Sequence, residues 1–210
     1  MFKYIFLLLI LSFYQPVFST EDTISQAVAR YLTRIHKYME AEDWINAERE
    51  LEQTARRYFK NEDSYERALI NQLYGQFYAM QRDYKNAIPW FEKAIAKGRL
   101  PFAADLQVTY SLAQCYFQTG RYTDVINTLE NYRTKASKRG QNMAPVQLMV
   151  LGIAYFQEQE ILKAYLNIAE ANATSTKLNE EWLQYEFALA VKLEKYDDAD
   201  PVLSSESLGP

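Results

Sequence analysis

The sequence predicts an all-α fold, a solenoid of about five antiparallel helix pairs that together form a right-handed superhelix. Three observations lead to this prediction. From Thr23 onward, apolar residues recur at helical spacing. A set of small and aromatic residues returns several times in the same register. Only 6 Gly and 6 Pro occur among 210 residues, which is little turn material for a many-stranded β protein.

The repeated unit contains a small residue, several aromatic residues and a second small residue at fixed steps. The clearest copy has steps of 3, 6, 3, 4 and 3 residues, at Gly75, Tyr78, Tyr84, Ala87, Phe91 and Ala94. Steps of 3 and 4 keep side chains on one helical face, and the step of 6 crosses a turn between two antiparallel helices. The small residues let the two helices approach closely, and stacked neighbours complete the core. The other copies predict these further core residues: Tyr38, Trp44, Ala47, Ala113, Tyr116, Tyr122, Gly152, Tyr155, Ala164, Tyr196 and Ala199.

The register divides the chain into units. We expect a solenoid over residues 20–200, with a flexible tail over 201–210, and with repeats near 28–61, 68–101, 106–139, 145–178 and 180–203. Turns within pairs are expected at residues 81–83, 119–121 and 194–195. The first residues of successive units lie 40, 38, 39 and 35 residues apart, which predicts long helices or long connections between pairs.

The amino terminus has the features of a signal peptide. Lys3 precedes an apolar run over residues 4–13, and Pro16 ends that run. We predict cleavage after Ser19, so that residues 1–19 are removed and the mature protein is periplasmic. The alternative is an uncleaved membrane anchor, but the run is shorter than the ~20 residues that span a bilayer.

The repeated residues resemble the tetratricopeptide repeat, whose consensus is close to Leu112-Ala113-x-x-Tyr116-x-x-x-Gly120-x-Tyr122. Another helical repeat family is the alternative. The order of motifs, including Leu73-Tyr74-Gly75-Gln76, Arg82-Asp83-Tyr84-Lys85-Asn86-Ala87-Ile88 and Glu180-Glu181-Trp182-Leu183-Gln184, is also similar to that of periplasmic tetratricopeptide proteins associated with TonB, ExbB and ExbD. That resemblance implies an adaptor in energy-driven uptake, with a TonB-system component as partner. Val125 and Ile161 depart from the repeat, which favours Ala and Tyr at these two places.

Residues with catalytic or ligand-binding chemistry are few. His36 is the one histidine and Cys115 the one cysteine, so neither a histidine-based triad nor a site with several histidine or cysteine ligands can form. We interpret His36 as a surface or groove residue and Cys115 as a packed thiol. The net charge of −4 argues against nucleic acid as the main partner. The sequence therefore predicts a non-enzyme with no cofactor, no metal and no membrane span in the mature chain.

A protein or peptide partner is the predicted ligand. In the tetratricopeptide repeat the first helix of each pair lines the concave surface, where amides can bind a peptide backbone and aromatic rings can hold its side chains. The register places there the residues Gln72, Gln76, Tyr110, Gln114, Phe117, Gln118, Met149, Ile153, Phe156, Gln157 and Gln184. The alternative for Tyr110, Phe117 and Phe156 is packing between adjacent repeats. The basic set that grips a terminal carboxylate in co-chaperones of this superfamily is absent from this stripe.

Three functions compete on this sequence. The first is an adaptor of a TonB-type envelope complex. The second is a structural assembly factor for outer-membrane or pilus machinery, and the third is an enzyme or small-ligand protein, for which the sequence supplies no constellation of polar groups. The pattern predicts no oligomeric state.

Overall fold

The computed structural model describes residues 26–58, 63–177 and 179–199. Within them the chain forms nine α-helices and no strand, which confirms the predicted all-α class. The predicted signal peptide at 1–19 and the tail at 201–210 lie outside the described residues. The helices are α1 (Gln26–Glu40), α2 (Trp44–Tyr58), α3 (Tyr65–Met80), α4 (Tyr84–Ile95), α5 (Phe102–Gln118), α6 (Tyr122–Ser137), α7 (Pro145–Gln157), α8 (Ile161–Thr174) and α9 (Glu180–Ala199).

Each helix packs against the helices next to it in sequence, as in a solenoid. The pairs are α1–α2, α3–α4, α5–α6 and α7–α8, and each pair stacks on the next through α2–α3, α4–α5, α6–α7 and α8–α9. One apolar cluster is formed by α1, α2 and α3, and a second runs from α3 to α9. Because no single helix encloses its own apolar face, the stacked neighbours supply the core.

Close helix contact within a pair depends on small residues. A Cβ atom on Gly75 in α3 would lie 2.5–2.8 Å from three atoms of the Phe91 ring in α4. At Gly152 in α7 a Cβ atom would lie 2.6 Å from Ile168 Cγ1 in α8. These distances are shorter than van der Waals contact, so the two helices could not keep this separation with a larger residue at either glycine.

The turn within a pair has the same geometry four times. The residue just before the second helix donates its backbone N–H to the carbonyl of a tyrosine in the first helix, at 2.9 Å each time. The residue before that has a left-handed backbone, which ends the first helix. Only Gly120 among these left-handed residues is a glycine; the others are Glu42, Arg82 and Gln159. The four tyrosines are Tyr38, Tyr78, Tyr116 and Tyr155.

Two of these tyrosines also connect neighbouring pairs. The hydroxyl of Tyr116 in α5 donates to Glu92 in α4, and that of Tyr155 in α7 donates to Glu130 in α6 at 3.0 Å. A cation lies over each ring: Arg121 is 4.4 Å from the Tyr116 ring centroid and Lys163 is 5.4 Å from that of Tyr155. Each ring is thus fixed both to its own pair and to the preceding one.

The predicted turn at residues 194–195 is wrong. Helix α9 continues from Glu180 to Ala199 without a break, so the described chain has four pairs followed by a single helix. Ala190 stands at the position where the other units have the turn tyrosine. Lys195 stands at the position just before a second helix, and its side chain has no acceptor atom to cap that helix. Strong helix formers at residues 190–195 then extend α9. The side chains of the predicted core residues Tyr196 and Ala199 are not among those described.

Over the described ranges, none of the helices combines the length and the apolar character that crossing a bilayer requires.

Gly75→Ala should destabilise the protein by about 1–3 kcal/mol, because the new methyl group overlaps the Phe91 ring. Helix propensity alone would favour alanine by about 1 kcal/mol, so a loss of stability isolates the contact. The measurement is the urea midpoint of unfolding followed by circular dichroism.

The double variant Gly75→Ala/Phe91→Leu provides the control. It reproduces the pair of residues found in α5 and α6. There Ala113 and the buried Leu129 lie as far apart in sequence as Gly75 and Phe91. It should recover most of the loss when compared with Phe91→Leu alone. A Gly75→Ala variant as stable as the parent would contradict the close contact.

Candidate partner-binding groove

The predicted groove residues lie on α3, α5 and α7, which are first helices of pairs, and on the single helix α9. In a solenoid of helix pairs such helices share one face of the stack. Eight of the eleven predicted residues are half-buried: Gln72, Gln76, Tyr110, Gln114, Phe117, Gln118, Phe156 and Gln157. Gln184 in α9 is exposed.

Met149 and Ile153 have no face left for a partner. They are 3% and 6% exposed, and both belong to the large apolar cluster. The reason is that α7 also contacts α5, a first helix of the neighbouring pair. Both residues therefore leave the candidate groove, which becomes concentrated on α3 and α5.

The remaining aromatic residues divide their surface between packing and the groove. Phe117 makes an edge-to-face contact with Tyr122 at a centroid distance of 5.6 Å. The ammonium of Lys192 lies over the Phe156 ring, 5.1 Å from the ring centroid. Tyr110 packs beside the large apolar cluster. Packing between elements thus accounts for part of the surface of all three residues.

Polar atoms without a hydrogen-bond partner occur among the predicted groove residues of α3 and α5. The side-chain oxygens of Gln72 and Gln76 and the hydroxyl of Tyr110 are shielded from solvent and have no hydrogen-bond partner. Burial raises the pKa of Tyr110, and the nearby Gln114 amide acts in the opposite direction without reaching hydrogen-bond geometry. A buried polar group without a partner costs about 1–3 kcal/mol, so these atoms are natural points for a ligand to bind.

Asn71 is a further polar residue that sequence reasoning did not single out, and it lies one turn before Gly75 on the face of α3 that meets α4. It is 5% exposed in α3, and its side-chain oxygen also has no hydrogen-bond partner. The signal in the sequence was its place in the repeat, four residues before Gly75. The residue at the corresponding position of α7 is the apolar Leu148. A polar residue at such a position is informative, because burying an amide is unfavourable without a compensating bond.

His36 is the titratable residue of α1 that lies in the register of the predicted groove residues. Ile35 in α1 corresponds to Gly75 in α3, so His36, the next residue, corresponds to Gln76. His36 is half-buried. Burial lowers the pKa of His36, while the charge of Glu40 acts in the opposite direction. Among the described side chains, no group of three His, Cys, Asp or Glu residues is arranged to hold a metal ion.

Comparisons with known proteins agree with this architecture. The family model for anaphase-promoting complex, cyclosome, subunit 3 matches residues 80–140, which is less than half of the chain. MamA (41-end) from Desulfovibrio magneticus RS-1 is similar in structure, with a TM-score of 0.65 and 15% identity over 87% of this chain and 94% of that one. No curated protein matches the sequence at a significant level.

A second solved structure has the same repeat type. The putative kinesin light chain of Podosopora anserina, with nearly identical TPR-like repeats, gives a TM-score of 0.61 at 15% identity over 85% of this chain and 92% of that one. At this identity the likeness concerns the fold alone. The chain has the fold of a tetratricopeptide-like solenoid.

Cys115 should be unreactive in the folded protein. It is 2% exposed, and burial raises the pKa of its thiol to about 12, so the reactive thiolate is scarce near neutral pH. We expect modification by a chromogenic disulfide reagent at pH 7–8 to be slower in the native protein than in urea by about two orders of magnitude or more. Equal rates in both conditions would contradict this prediction.

Proposed function

We propose that this protein is a non-catalytic, exported scaffold that binds an extended segment of a protein partner in the groove formed by α3 and α5. The observation that carries the proposal is that polar side-chain atoms of Gln72 and Gln76 in α3 and of Tyr110 in α5 are buried without a hydrogen-bond partner. A peptide backbone has N–H and C=O groups at regular intervals, and an amide can rotate to offer either its oxygen or its N–H₂ group. A peptide that runs along both helices would pair these groups in turn.

The charge of the groove supports a partner segment bound through its backbone. The six predicted residues that remain on α3 and α5 are amides and aromatics: Gln72, Gln76, Tyr110, Gln114, Phe117 and Gln118. Without lysine or arginine in this set, a terminal carboxylate has no counter-charge to bind. An internal extended segment with apolar or proline side chains is the better ligand, since the rings of Tyr110 and Phe117 can contact such side chains.

At a finer level, we propose that the scaffold works in the periplasm as an accessory to a TonB-type uptake complex. The support comes from the sequence: the features of a signal peptide in residues 1–19, and the motif order similar to the TonB-associated periplasmic proteins. The proposal assigns the scaffold a role in holding TonB, ExbB or ExbD and no chemical step.

The double variant Gln76→Ala/Gln114→Ala should weaken partner binding by about tenfold, because it removes two amides from adjacent rows of the groove. Binding can be measured by calorimetry with the captured partner segment. Gln53→Ala is the matched control, since Gln53 is an exposed glutamine on α2, a second helix of a pair. Equal weakening by the control, or none by the double variant, would contradict the groove.

Cross-linking in the native envelope, followed by purification of the full-length protein, should recover a TonB-system component. Groove variants should reduce this recovery without changing the amount of the protein. If TonB, ExbB and ExbD are all absent from the recovered material, the uptake role is wrong. A groove that still binds some other extended segment would then leave the scaffold proposal standing on its own.

A further inference from the structure

Two large apolar residues lie exposed, one helical turn apart, on the last helix. Leu183 and Phe187 in α9 are 37% and 72% exposed. Phe187 occupies the place that Gly75 occupies in α3, and Leu183 that of Asn71. In α3, α5 and α7 the corresponding residues are all buried by the second helix of the pair: Asn71 and Gly75, Thr109 and Ala113, Leu148 and Gly152.

The opposite face of α9 is held firmly by the solenoid. Leu189 is 4% exposed and belongs to the large apolar cluster. Glu186 accepts a hydrogen bond of 2.7 Å from the Asn172 amide in α8, and Lys192 lies over Phe156 in α7. These contacts fix the rotation of α9 about its axis, so Leu183 and Phe187 point away from the core. In the described part of the chain, no helix follows α9 to cover them.

Acidic side chains mark both ends of this apolar face. Glu180 and Glu181 are exposed at the start of α9, and Glu194 is exposed toward its end. Val191, half-buried, continues the apolar stripe one turn beyond Phe187. Lys192 is the one lysine of α9 whose side chain is described, and it points toward α7. A second copy of the same face would bring like charges together, whereas a basic helix would bring opposite ones.

The size of Phe187 also constrains the occupant. In α3, α5 and α7 the first helix offers glycine or alanine and the second helix a large residue, as with Gly75 and Phe91, whereas α1 and α2 have Ile35 and Leu51 at these two places. In α9 the large residue is on the first helix. A helix with a small residue opposite Phe187 can pack here as closely as the two helices do in those three pairs.

We propose that the exposed face of α9 is a docking site for an amphipathic, basic helix of a protein partner. This helix takes the place of the second helix of a fifth pair. It has alanine or glycine opposite Phe187, apolar residues against Leu183 and Val191, and lysine or arginine near Glu180 and Glu194. The site is separate from the groove on α3 and α5, and it binds by a different mode.

The test measures fluorescence anisotropy of a labelled synthetic peptide as long as α8, 14 residues, with the full-length protein. The peptide has leucine and alanine on one face and lysine on its flanks. A second peptide has the same composition in scrambled order, and a third has glutamate in place of lysine. We expect saturable binding of the first peptide only, and weaker binding as salt is raised.

Phe187→Ser should weaken this binding by about tenfold or more, since an aromatic residue at the centre of a helix interface is a typical hot spot. Leu166→Ser is the matched control. Leu166 is 55% exposed on α8. The residues at the same repeat position are Pro89 in α4 and Asn127 in α6, and both are exposed although further pairs follow these helices. This position is therefore outside the face through which pairs stack. Because both substituted residues are exposed, both variants should keep the parent's circular dichroism spectrum and urea midpoint.

Four results would overturn the proposal. One is equal binding of the three peptides or no saturable binding, and another is equal loss in the two variants. The third is a parent protein that sediments as a dimer and becomes a monomer in Phe187→Ser, since a second copy would then cover the face. The last is binding that emerges only in Val202→Ser/Leu203→Ser, since residues 200–210 would then be the occupant.

Discussion

The close contact between the two helices of a pair is the constraint on which the rest of the structure depends. At Gly75 and Gly152 the facing side chain occupies the space that a Cβ atom would need. Because the helices touch at this level, their relative rotation and height are fixed, and the residues on either side of the contact follow. Gln72 and Gln76 lie on either side of this level in α3, so the same contact that closes a pair also sets which residues can line the concave surface.

Contacts between pairs then carry this geometry along the solenoid. The left-handed residue before each second helix is tolerated at Glu42, Arg82 and Gln159, because the hydrogen bond to the tyrosine carbonyl and the packed pair compensate for its strain. In α5 and α7 the hydroxyl of this tyrosine also donates a hydrogen bond to a glutamate of the preceding pair. One residue thus links the turn, its own pair and its neighbour, and the rows of groove residues stay in register from α3 to α5.

Local spacing explains how much the sequence could predict. The steps around Gly75 predicted the pair α3–α4 and its turn, because those contacts lie within one repeat. The burial of Met149 and Ile153 was missed, because it depends on the contact of α7 with a first helix of another pair. The bonds from Tyr116 to Glu92 and from Tyr155 to Glu130 join residues 24 and 25 positions apart, so no short motif contains them. The continuous α9 was missed because a turn of this kind needs a second helix to stabilise it.

The end of the solenoid follows from the same rule that closes its pairs. In α3–α4, α5–α6 and α7–α8 the second helix brings a large residue to a glycine or alanine of the first, and in α1–α2 the two places hold Ile35 and Leu51. Phe187 occupies the contact position of α9, so a helix with a large residue at that level, such as Phe91 in α4 or Ile168 in α8, would be held away from it. The three pairs from α3 to α8 therefore do not provide a template for closing α9. The open face favours a helix with a small residue opposite Phe187. The acidic residues at the two ends of the face favour a basic helix.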